Sequence, residues 1–219
     1  MSISTQLTRL AQNVGAINAD TNAIFEALRA KGVDVLANAQ LSDVADMIES
    51  IVIPHQNEVE IGGRWYPYVQ IGNKLWTTES LKNPTSNSYQ PNETDKYGLL
   101  YPYADFTSIN NLLPEGWRIP TKSDFEDLIT ICGDVGSNYI SEEFGGDNTN
   151  GFNACLLGYV NQSGQYLNYG NRGYLWTSTD YTSSEYLWNV WYQPSAFGVD
   201  DYANKNTTKL QIRLVKDVT

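Results

Sequence analysis

The residue types that could perform covalent catalysis are scarce in this chain. Its single histidine, His55, lies in a short polar stretch between two differently patterned regions. A serine or cysteine nucleophile needs a base to activate it, so we expect no Ser-His-Asp or Cys-His site in the long second region. The sequence also lacks a P-loop, zinc-ligand spacing and a dinucleotide-binding glycine fingerprint. We therefore predict that the protein is not an enzyme and uses no cofactor and no metal.

The segment from Tyr174 to Lys205 has the composition of a binding surface. It holds many of the chain's 15 Tyr and 6 Trp, interleaved with Asp, Asn and Ser. Tyr and Trp offer a large contact area with few rotatable bonds and a polar tip, as in antibody combining sites. Soluble proteins rarely expose clustered aromatic side chains without a function, which favours binding over the alternative of an ordinary sheet core. The candidate ligand-binding residues are Tyr174, Asp180, Tyr181, Ser184, Tyr186, Trp188, Asn189, Trp191, Tyr192, Ser195, Phe197, Asp200, Asp201, Tyr202 and Asn204.

Strand alternation gives this segment two large faces. Side chains in a strand point alternately to opposite faces of the sheet. One face of the predicted strand carries Leu187, Asn189 and Trp191, and the other carries Trp188, Val190 and Tyr192. Whichever face packs inward, the other is expected to expose aromatic side chains.

The elements that must position these side chains are short strands, tight turns and long loops. From Val59 onward, apolar residues are separated by Gly62–Gly63 and Gly72–Asn73, which indicates antiparallel strands with tight turns. A helix is predicted over Thr121–Ile131, because a Thr or Ser cap and acidic residues in the first turns accompany an apolar face. Loops are predicted over 83–96 and 134–151, and strands over Phe152–Tyr159, Tyr174–Thr179, Leu187–Tyr192 and Leu210–Val215.

Residues 1–53 form a separate, all-α predicted segment. They contain no Trp, Tyr or Pro, and their apolar residues recur at helical spacing. The helical patterns are a stripe from Ile3 to Ile17, a second with Ile24, Phe25 and Leu28 on one face, and a third over Ser42–Ile51. So short a segment buries little core alone, so we expect it to pack against copies of itself or to dock onto a larger assembly. Residues 54–58 are the predicted linker, and 59–219 the predicted ligand-binding domain.

Charge and hydropathy exclude several partners. The net charge of -11 repels phosphate backbones and anionic lipid, so we expect no nucleic-acid partner. No apolar run approaches the roughly 20 residues that span a bilayer, so we expect no membrane insertion. The N-terminus shows no secretory signal, which predicts synthesis and folding in a cytoplasm. Cys132 and Cys155 are predicted to be buried free thiols, since two cysteines do not make a disulfide framework.

Several segments occur in an order shared with a known family. They are IGNKLWTTESLK (Ile71–Lys82), KYGLLYPYAD (Lys96–Asp105), LPEGWRIPTKSDFEDLI (Leu113–Ile129), GFNACLLGYV (Gly151–Val160), GYLWTSTDY (Gly173–Tyr181) and LQIRLVKD (Leu210–Asp217). The set resembles the Fibrobacter succinogenes major paralogous domain over roughly Val59–Asp217. That family belongs with the formylglycine-generating-enzyme-like branch of the C-type-lectin fold. The resemblance implies an α+β, C-type-lectin-like domain with short antiparallel strands, long loops and at least one helix, and it places Trp176 in the core.

The cysteines depart from the family pattern. Members commonly carry Cys just before a P-x-G-W motif and in a final V-R-C-V strand, where this chain has Leu113 and Leu214. A buried Leu pair would restore the packing without oxidation, which fits folding in a reducing cytoplasm. The formylglycine-generating relatives use a Cys pair near the C-terminal part of the domain, and Cys132 and Cys155 do not fall there.

Two segments are faintly similar to calcium-binding motifs. Trp188–Asn189–Val190 resembles the W-N-D motif of sugar-binding lectins, but the third position is Val and no E-P-N triplet precedes it. Asp147–Gly151 resembles part of a calcium loop but lacks the distal bidentate Glu of an EF-hand. We therefore expect neither calcium-dependent sugar binding of the lectin kind nor an EF-hand.

The N-terminal part has a resemblance of its own. The run AIFEALRAKGVDVLANAQLSDVADMIESI (Ala23–Ile51) is similar to a segment common in tail and baseplate-associated proteins of gut bacteriophages. The two resemblances together imply a virion receptor-binding protein at the phage tail tip. Residues 1–53 would then bind tail or baseplate proteins and form a homotrimer, and the second domain would bind a bacterial surface receptor, protein or glycan.

Some proteins of this kind are targets of diversity-generating retroelements. These elements rewrite adenine-containing codons in the last part of a lectin-like domain, which corresponds here to Tyr174–Lys205. The resemblance leaves alternatives open: a bacterial cell-surface adhesin of the same fold, or an enzyme of the formylglycine-generating type. A glycosidase stays open as well, since no single pair among the 25 Asp and Glu residues is distinguished.

Overall fold

The chain divides into two compact units, Met1–Gln56 and Asn57–Thr219. The computed structural model describes residues 18–30, 35, 39–40, 43, 55–91, 96–183 and 185–218. The division between the units falls inside the linker predicted at 54–58. Each unit is considered separately.

In the first unit, helix α1 occupies residues 18–30. Phe25 and Leu28 are buried and pack with Val35, whereas Ile24 is exposed. The helix predicted around these residues is therefore confirmed, but Ile24 does not share its buried face. The predicted stripe from Ile3 to Ile17 and, apart from Asp43, the predicted helix over Ser42–Ile51 lie outside the described residues.

The second unit is an α+β domain dominated by short strands in curled antiparallel sheets. Its strands, within the described residues, are β1 (Glu58–Ile61), β2 (Arg64–Ile71), β3 (Lys74–Thr77), β4 (Tyr101–Pro102), β5 (Tyr159–Val160), β6 (Tyr166–Leu167), β7 (Gly173–Asp180), β8 (Tyr186–Gln193), β9 (Ala196–Asn204), β10 (Lys209–Leu210) and β11 (Val215–Asp217). Its helices are α2 (Phe106–Asn110) and α3 (Lys122–Cys132), with 3-10 turns at Tyr103–Asp105, Gly136–Asn138 and Glu142–Phe144. The α+β class predicted from the sequence is confirmed.

The strands form three sheets. The first sheet has the order β1-β2-β3-β11, the second β4-β10-β5-β6 and the third β7-β8-β9. The predicted tight turns are present, because Gly62, Gly63 and Gly72 take the positive φ angles that such turns require. Since β11 pairs with β3, the first and last strands of the domain lie in the same sheet.

Helix α3 begins with the cap predicted from its sequence. The Thr121 hydroxyl accepts a hydrogen bond from the Asp124 amide, and the Asp124 carboxylate accepts one from the Thr121 amide at 2.7 Å. This reciprocal capping box satisfies amides that would otherwise lack partners at the helix start. Phe125 and Leu128 are buried on the core side, and Phe125 packs against Trp76 at a centroid distance of 5.0 Å.

The side chains of β8 alternate as predicted, but both faces of the strand pack inward over part of their length. Leu187 lies in one hydrophobic cluster and Trp191 packs against it, whereas Val190 and Tyr192 lie in a second cluster. A β-bulge interrupts the pairing with β9: Asn189 pairs with Asp201 and Trp191 with Gly198, so the extra residue lies in β9 and the two faces of β8 are unchanged. The half-buried residues of β8 are Tyr186, Trp188, Trp191 and Gln193.

The turn between β8 and β9 packs tightly against the 3-10 turn at Gly136–Asn138. The Ser137 amide donates to the Pro194 carbonyl at 2.8 Å. A Cβ atom on Gly136 would lie 1.8 Å from the Gln193 carbonyl oxygen, so this close approach requires glycine. The hairpin that carries most candidate residues is therefore fixed at this end.

The predicted strand over Phe152–Tyr159 is wrong. Asn153 and Gly158 have positive φ angles, which interrupt an extended run. The segment instead crosses the core irregularly, with Ala154 in an isolated bridge to Ile140, and becomes a strand at β5.

The predicted strand over Leu210–Val215 is divided between two sheets. All six residues are buried, but the stretch between β10 and β11 is not a strand. Its polar side chains and backbone groups form hydrogen bonds with residues of several other elements instead. The Arg213 guanidinium donates to the Thr77 carbonyl and to the Asn153 carbonyl, both at 2.7 Å.

The positions that differ from the family's cysteine pattern contribute to one hydrophobic cluster. Leu214 is buried in it, and Leu113 is half-buried and packs against it. Cys155 is buried and Cys132 half-buried, and both are free thiols. The prediction of buried free thiols is therefore confirmed for Cys155, while Cys132 is more accessible.

Candidate functional site

A cleft of about 550 Å³ lies where the third sheet meets the second. Strands β5, β7, β8, β9 and β10 contribute to its walls, together with the turn between β5 and β6. The lining residues are Tyr159, Asn161, Gln162, Ser163, Tyr174, Tyr186, Asn189, Asp201, Tyr202, Ala203, Asn204, Thr208 and Leu210. Volumes of this size are typical of small-ligand sites. Six of the predicted site residues therefore share one cleft: Tyr174, Tyr186, Asn189, Asp201, Tyr202 and Asn204.

One rim of the cleft is an aromatic cluster formed by Tyr181, Tyr186, Trp188 and Tyr202. Tyr181 stacks on Tyr202 with ring centroids 4.4 Å apart and an interplanar angle of 24°. Trp188 meets Tyr181 edge-on at 4.8 Å, and Tyr186 meets Tyr202 edge-on at 5.4 Å. Tyr202 is 49% exposed, and the other three are half-buried. The cluster therefore presents rings to solvent that are held in place by one another.

Two lysines border the aromatic cluster. The Lys122 ammonium lies 4.7 Å above the Trp188 ring, within the range of a cation–π interaction. Lys205 forms an ion pair with Asp180 and lies 4.8 Å above the Tyr103 ring. Asp180, a predicted ligand-binding residue, therefore already has a partner at the edge of the cluster.

Asn189 contributes a buried amide to the cleft wall. Its side chain is 1% exposed, and among the described residues its Oδ1 has no hydrogen-bond partner. A buried polar atom without a partner costs roughly 1–3 kcal/mol. Asn189 is the last β8 residue that pairs with β9 before the register of that pairing changes.

The opposite wall is a pair of tyrosines on β5 and β7. The rings of Tyr159 and Tyr174 are 4.9 Å apart, and the Tyr174 hydroxyl accepts a hydrogen bond from Asn168 at 3.0 Å. Burial raises the pKa of Tyr159, and the neighbouring Tyr174 and Asp201 raise it further. The Tyr159 hydroxyl therefore stays protonated at neutral pH and can donate a hydrogen bond.

Tyr192 and Phe197 lie in the core rather than on this surface. They are 0% and 2% exposed, and their rings stack with centroids 5.6 Å apart. The Tyr192 hydroxyl donates to the Cys155 carbonyl at 2.9 Å. The candidate surface therefore excludes these two predicted residues, because both are packed in a hydrophobic core cluster. Trp176, assigned to the core by the family resemblance, is fully buried.

Two further predicted residues, Trp191 and Ser195, are separate from the cleft lining. Trp191 is half-buried, with the Arg172 guanidinium 5.7 Å from its ring. Ser195 lies in the exposed turn after β8 and accepts a hydrogen bond from Gln193 at 3.0 Å. Ser184 lies outside the described residues, as does the side chain of Asp200.

Sequence reasoning missed the part of the wall that comes from β5 and the following turn. Tyr159, Asn161, Gln162 and Ser163 are far from Tyr174–Lys205 in sequence and reach the cleft through the pairing of β5 with β10. The available signal is the polar Asn-Gln-Ser-Gly turn that follows Tyr159 and Val160.

A second cleft, of about 500 Å³, contains the buried cysteine. Cys155 shares it with Ser141, Asn153 and several charged residues, including Lys96 and Glu143, which form an ion pair at 2.6 Å. Burial raises the pKa of the Cys155 thiol more than the charge of Arg213 lowers it. A protonated thiol is a poor nucleophile, so this cleft has no activated cysteine. Within the described ranges, no three His, Cys, Asp or Glu side chains are grouped to hold a metal ion.

The fold and the cleft define a class: a mixed helix-and-sheet domain, mostly of curled antiparallel sheets, with an aromatic-rimmed polar cleft between two of them. The chain belongs to the Fibrobacter succinogenes major domain family, whose sequence model matches residues 69–216. No curated protein and no solved structure matches the chain significantly. None of the described helices is long and apolar enough to cross a membrane.

Proposed function

We propose that this protein is a bacteriophage tail-tip adhesin that binds a receptor on the bacterial surface. The aromatic cluster and the adjoining cleft are the proposed receptor-binding surface. Residues 1–53 attach the protein to tail or baseplate proteins and form a homotrimer. The observation that carries the proposal is the exposed, mutually packed cluster of Tyr181, Tyr186, Trp188 and Tyr202 beside an open cleft.

The geometry of the cluster supports binding. Rings that already pack on one another lose little conformational freedom when a partner is bound. Aromatic residues with polar tips are also the types that dominate binding energy at protein interfaces. Ordered aromatic groups, exposed on one side and surrounded by Asn and Asp, therefore suit recognition of a macromolecular surface.

We further propose that the domain has the C-type-lectin-like fold. In support, its first and last strands share one sheet, its helix α3 follows the family's EGWRIPT motif, and long irregular segments connect its short strands. Within the third sheet, the half-buried Tyr186 and Trp188 and the exposed Tyr202 can carry sequence changes without disturbing the core. We propose that the outward positions of β8 and β9 are those diversified by a retroelement.

The aromatic cluster is tested by paired double variants of the full-length protein. Trp188→Ser with Tyr202→Ser is expected to reduce adsorption to receptor-bearing bacterial cells at least tenfold, because both rings are accessible and central to the cluster. The control pairs Trp65→Ser with Tyr169→Ser, two residues that are each 43% exposed elsewhere in the domain. Adsorption of labelled protein to cells is measured by flow cytometry, with thermal unfolding to confirm the fold.

The control is expected to adsorb within twofold of the unmodified protein. Equal losses in both double variants would indicate a general effect of removing surface aromatics. Full adsorption by the Trp188 and Tyr202 variant would contradict the proposed surface.

A further inference from the structure

We infer that the cleft binds one or two sugar rings of an uncharged glycan, with the Asn189 amide as the central hydrogen-bonding group. This inference rests on the proposed function and names the chemical class of the receptor. Three features of the cleft carry it: an unpaired buried amide, the charge of the lining, and the kind of side chains in its walls.

The unpaired amide indicates that a ligand supplies the missing hydrogen bond. Asn189 lines the cleft, is 1% exposed and has an Oδ1 without a partner among the described residues. Folded proteins rarely leave such a group unsatisfied without a functional reason. A carboxamide both donates and accepts hydrogen bonds, and so does a sugar hydroxyl. A sugar hydroxyl that enters the cleft would therefore donate the missing hydrogen bond to Oδ1 of Asn189.

The charge of the lining favours an uncharged ligand. Among the described residues that line the cleft, Asp201 carries a charge and none is a lysine or an arginine. The chain as a whole has a net charge of -11. A phosphorylated, sulfated or sialylated ligand would lose its hydration without gaining a cation, which is costly. The cleft is therefore suited to neutral polar groups.

The walls favour a sugar over a peptide side chain. Four tyrosines line the cleft, and the remaining residues are mainly amides and hydroxyls such as Asn161, Gln162 and Thr208. The face of an aromatic ring is electron-rich and attracts the polarised C–H groups of a sugar ring. The aliphatic side chains in the lining are the buried Ala203 and Leu210, so an apolar peptide anchor would find little apolar surface.

The direct test replaces Asn189 by leucine, which has a similar shape but no polar group. The full-length protein and Asn189→Leu are applied to an array of immobilised neutral, sialylated and phosphorylated oligosaccharides. We expect the unmodified protein to bind neutral structures and the variant to lose at least tenfold in affinity. Because the variant removes an unsatisfied buried atom, its Tm is expected to be unchanged or raised by about 2–4 °C.

A matched control is Asn110→Leu, which removes an exposed amide at the end of α2. It is expected to bind the array as the unmodified protein does. The inference is overturned if Asn189→Leu keeps its affinity, if the anionic structures are preferred, or if no oligosaccharide binds. A large fall in the Tm of Asn189→Leu would also overturn it, because the amide would then be paired in the free protein.

Chemical treatment of receptor-bearing cells separates this inference from the proposed function. Periodate cleaves the vicinal diols of glycans, and protease removes surface proteins. We expect adsorption of the unmodified protein to be lost after periodate and kept after protease. Adsorption that survives periodate but not protease would identify a protein receptor, which overturns the glycan inference and leaves the adhesin function in place. Binding to the array without adsorption to any bacterium would overturn the adhesin function and leave the glycan inference in place.

Discussion

At the residue scale, Asp124 connects the start of helix α3 to the C-terminal strand. Its carboxylate is 5% exposed and forms an ion pair with Arg118, and the Lys74 ammonium lies 3.6 Å away. Arg118 also reaches Asp217 on β11 at 3.2 Å. Burial raises the pKa of Asp124, but hydrogen bonds from Arg118 and Thr121 lower it more, to about 2. This carboxylate therefore stabilises the folded state when it is ionised.

The Asp124 network makes stability depend on pH in a defined window. Because the pKa in the folded state lies below the ordinary value of 3.8, the stabilisation is present above about pH 4 and is lost as the pH falls towards 2. Asp124→Asn is expected to lower the free energy of unfolding by roughly 2 kcal/mol at pH 7 and to flatten its dependence on pH between 4 and 2. Urea unfolding at a series of pH values measures both.

Asp127→Asn is the matched control, since Asp127 also pairs with Lys74 but is largely exposed. It is expected to change stability by less than about 1 kcal/mol. A flat pH profile for the unmodified protein across this window would contradict the assignment to Asp124.

Tyr192 and Phe197 show that residue type alone does not determine whether a side chain is buried or exposed. Both occur in a run of aromatic and polar residues in which composition favours a surface. Their burial follows from packing against Tyr139 and Phe152, which are distant in sequence, and the Tyr192 hydroxyl donates a hydrogen bond to the Cys155 carbonyl. Contacts between segments so distant in sequence do not follow from composition or from alternation.

At the element scale, the sequence predicted the elements that begin or end at characteristic turn or capping residues. The turns at Gly62–Gly63 and Gly72–Asn73 and the cap of α3 depend on nearby residues, and all were predicted. The sequence predicts strands over the segments 152–159 and 210–215, the second of which alternates between apolar and polar residues. In the structure they cross the core between sheets, and their backbone groups find partners in several elements. Apolar content indicates burial there, but it does not specify strand pairing.

The burial pattern of β8 predicts which positions the proposed diversification changes. Codon changes are tolerated where side chains are not fully buried, so variation among related phages is expected at Tyr186, Trp188 and Trp191. Val190 and Tyr192 are expected to stay constant, because they are fully buried. Sequencing this gene from related phages measures the pattern.

Variation of Val190 and Tyr192 together with Trp188 would contradict this restriction to the less buried positions. Differences spread evenly along residues 59–217 would contradict diversification of this surface altogether.

At the scale of the whole molecule, the cleft depends on the packing of one sheet against another. Its walls come from β5, β7, β8, β9 and β10, so the pairing of β10 with β5 is as necessary as the candidate segment itself. The sequence indicated one contiguous binding segment, and the structure adds a wall from residues 159–163. That wall could not be predicted, because the order of strands in the second sheet follows from tertiary packing.

The central proposal is that this chain is a phage adhesin and that its aromatic cluster and cleft bind the receptor that the phage uses. It is tested most directly by competition: receptor-bearing bacteria are incubated with purified full-length protein, and adsorption of the phage that encodes this chain is then counted as plaques. We predict that the unmodified protein blocks phage adsorption in a dose-dependent manner. The Trp188→Ser, Tyr202→Ser variant, folded to the same Tm, is expected to block at least tenfold less well. Equal blocking by both proteins, or no blocking by either, would contradict the account.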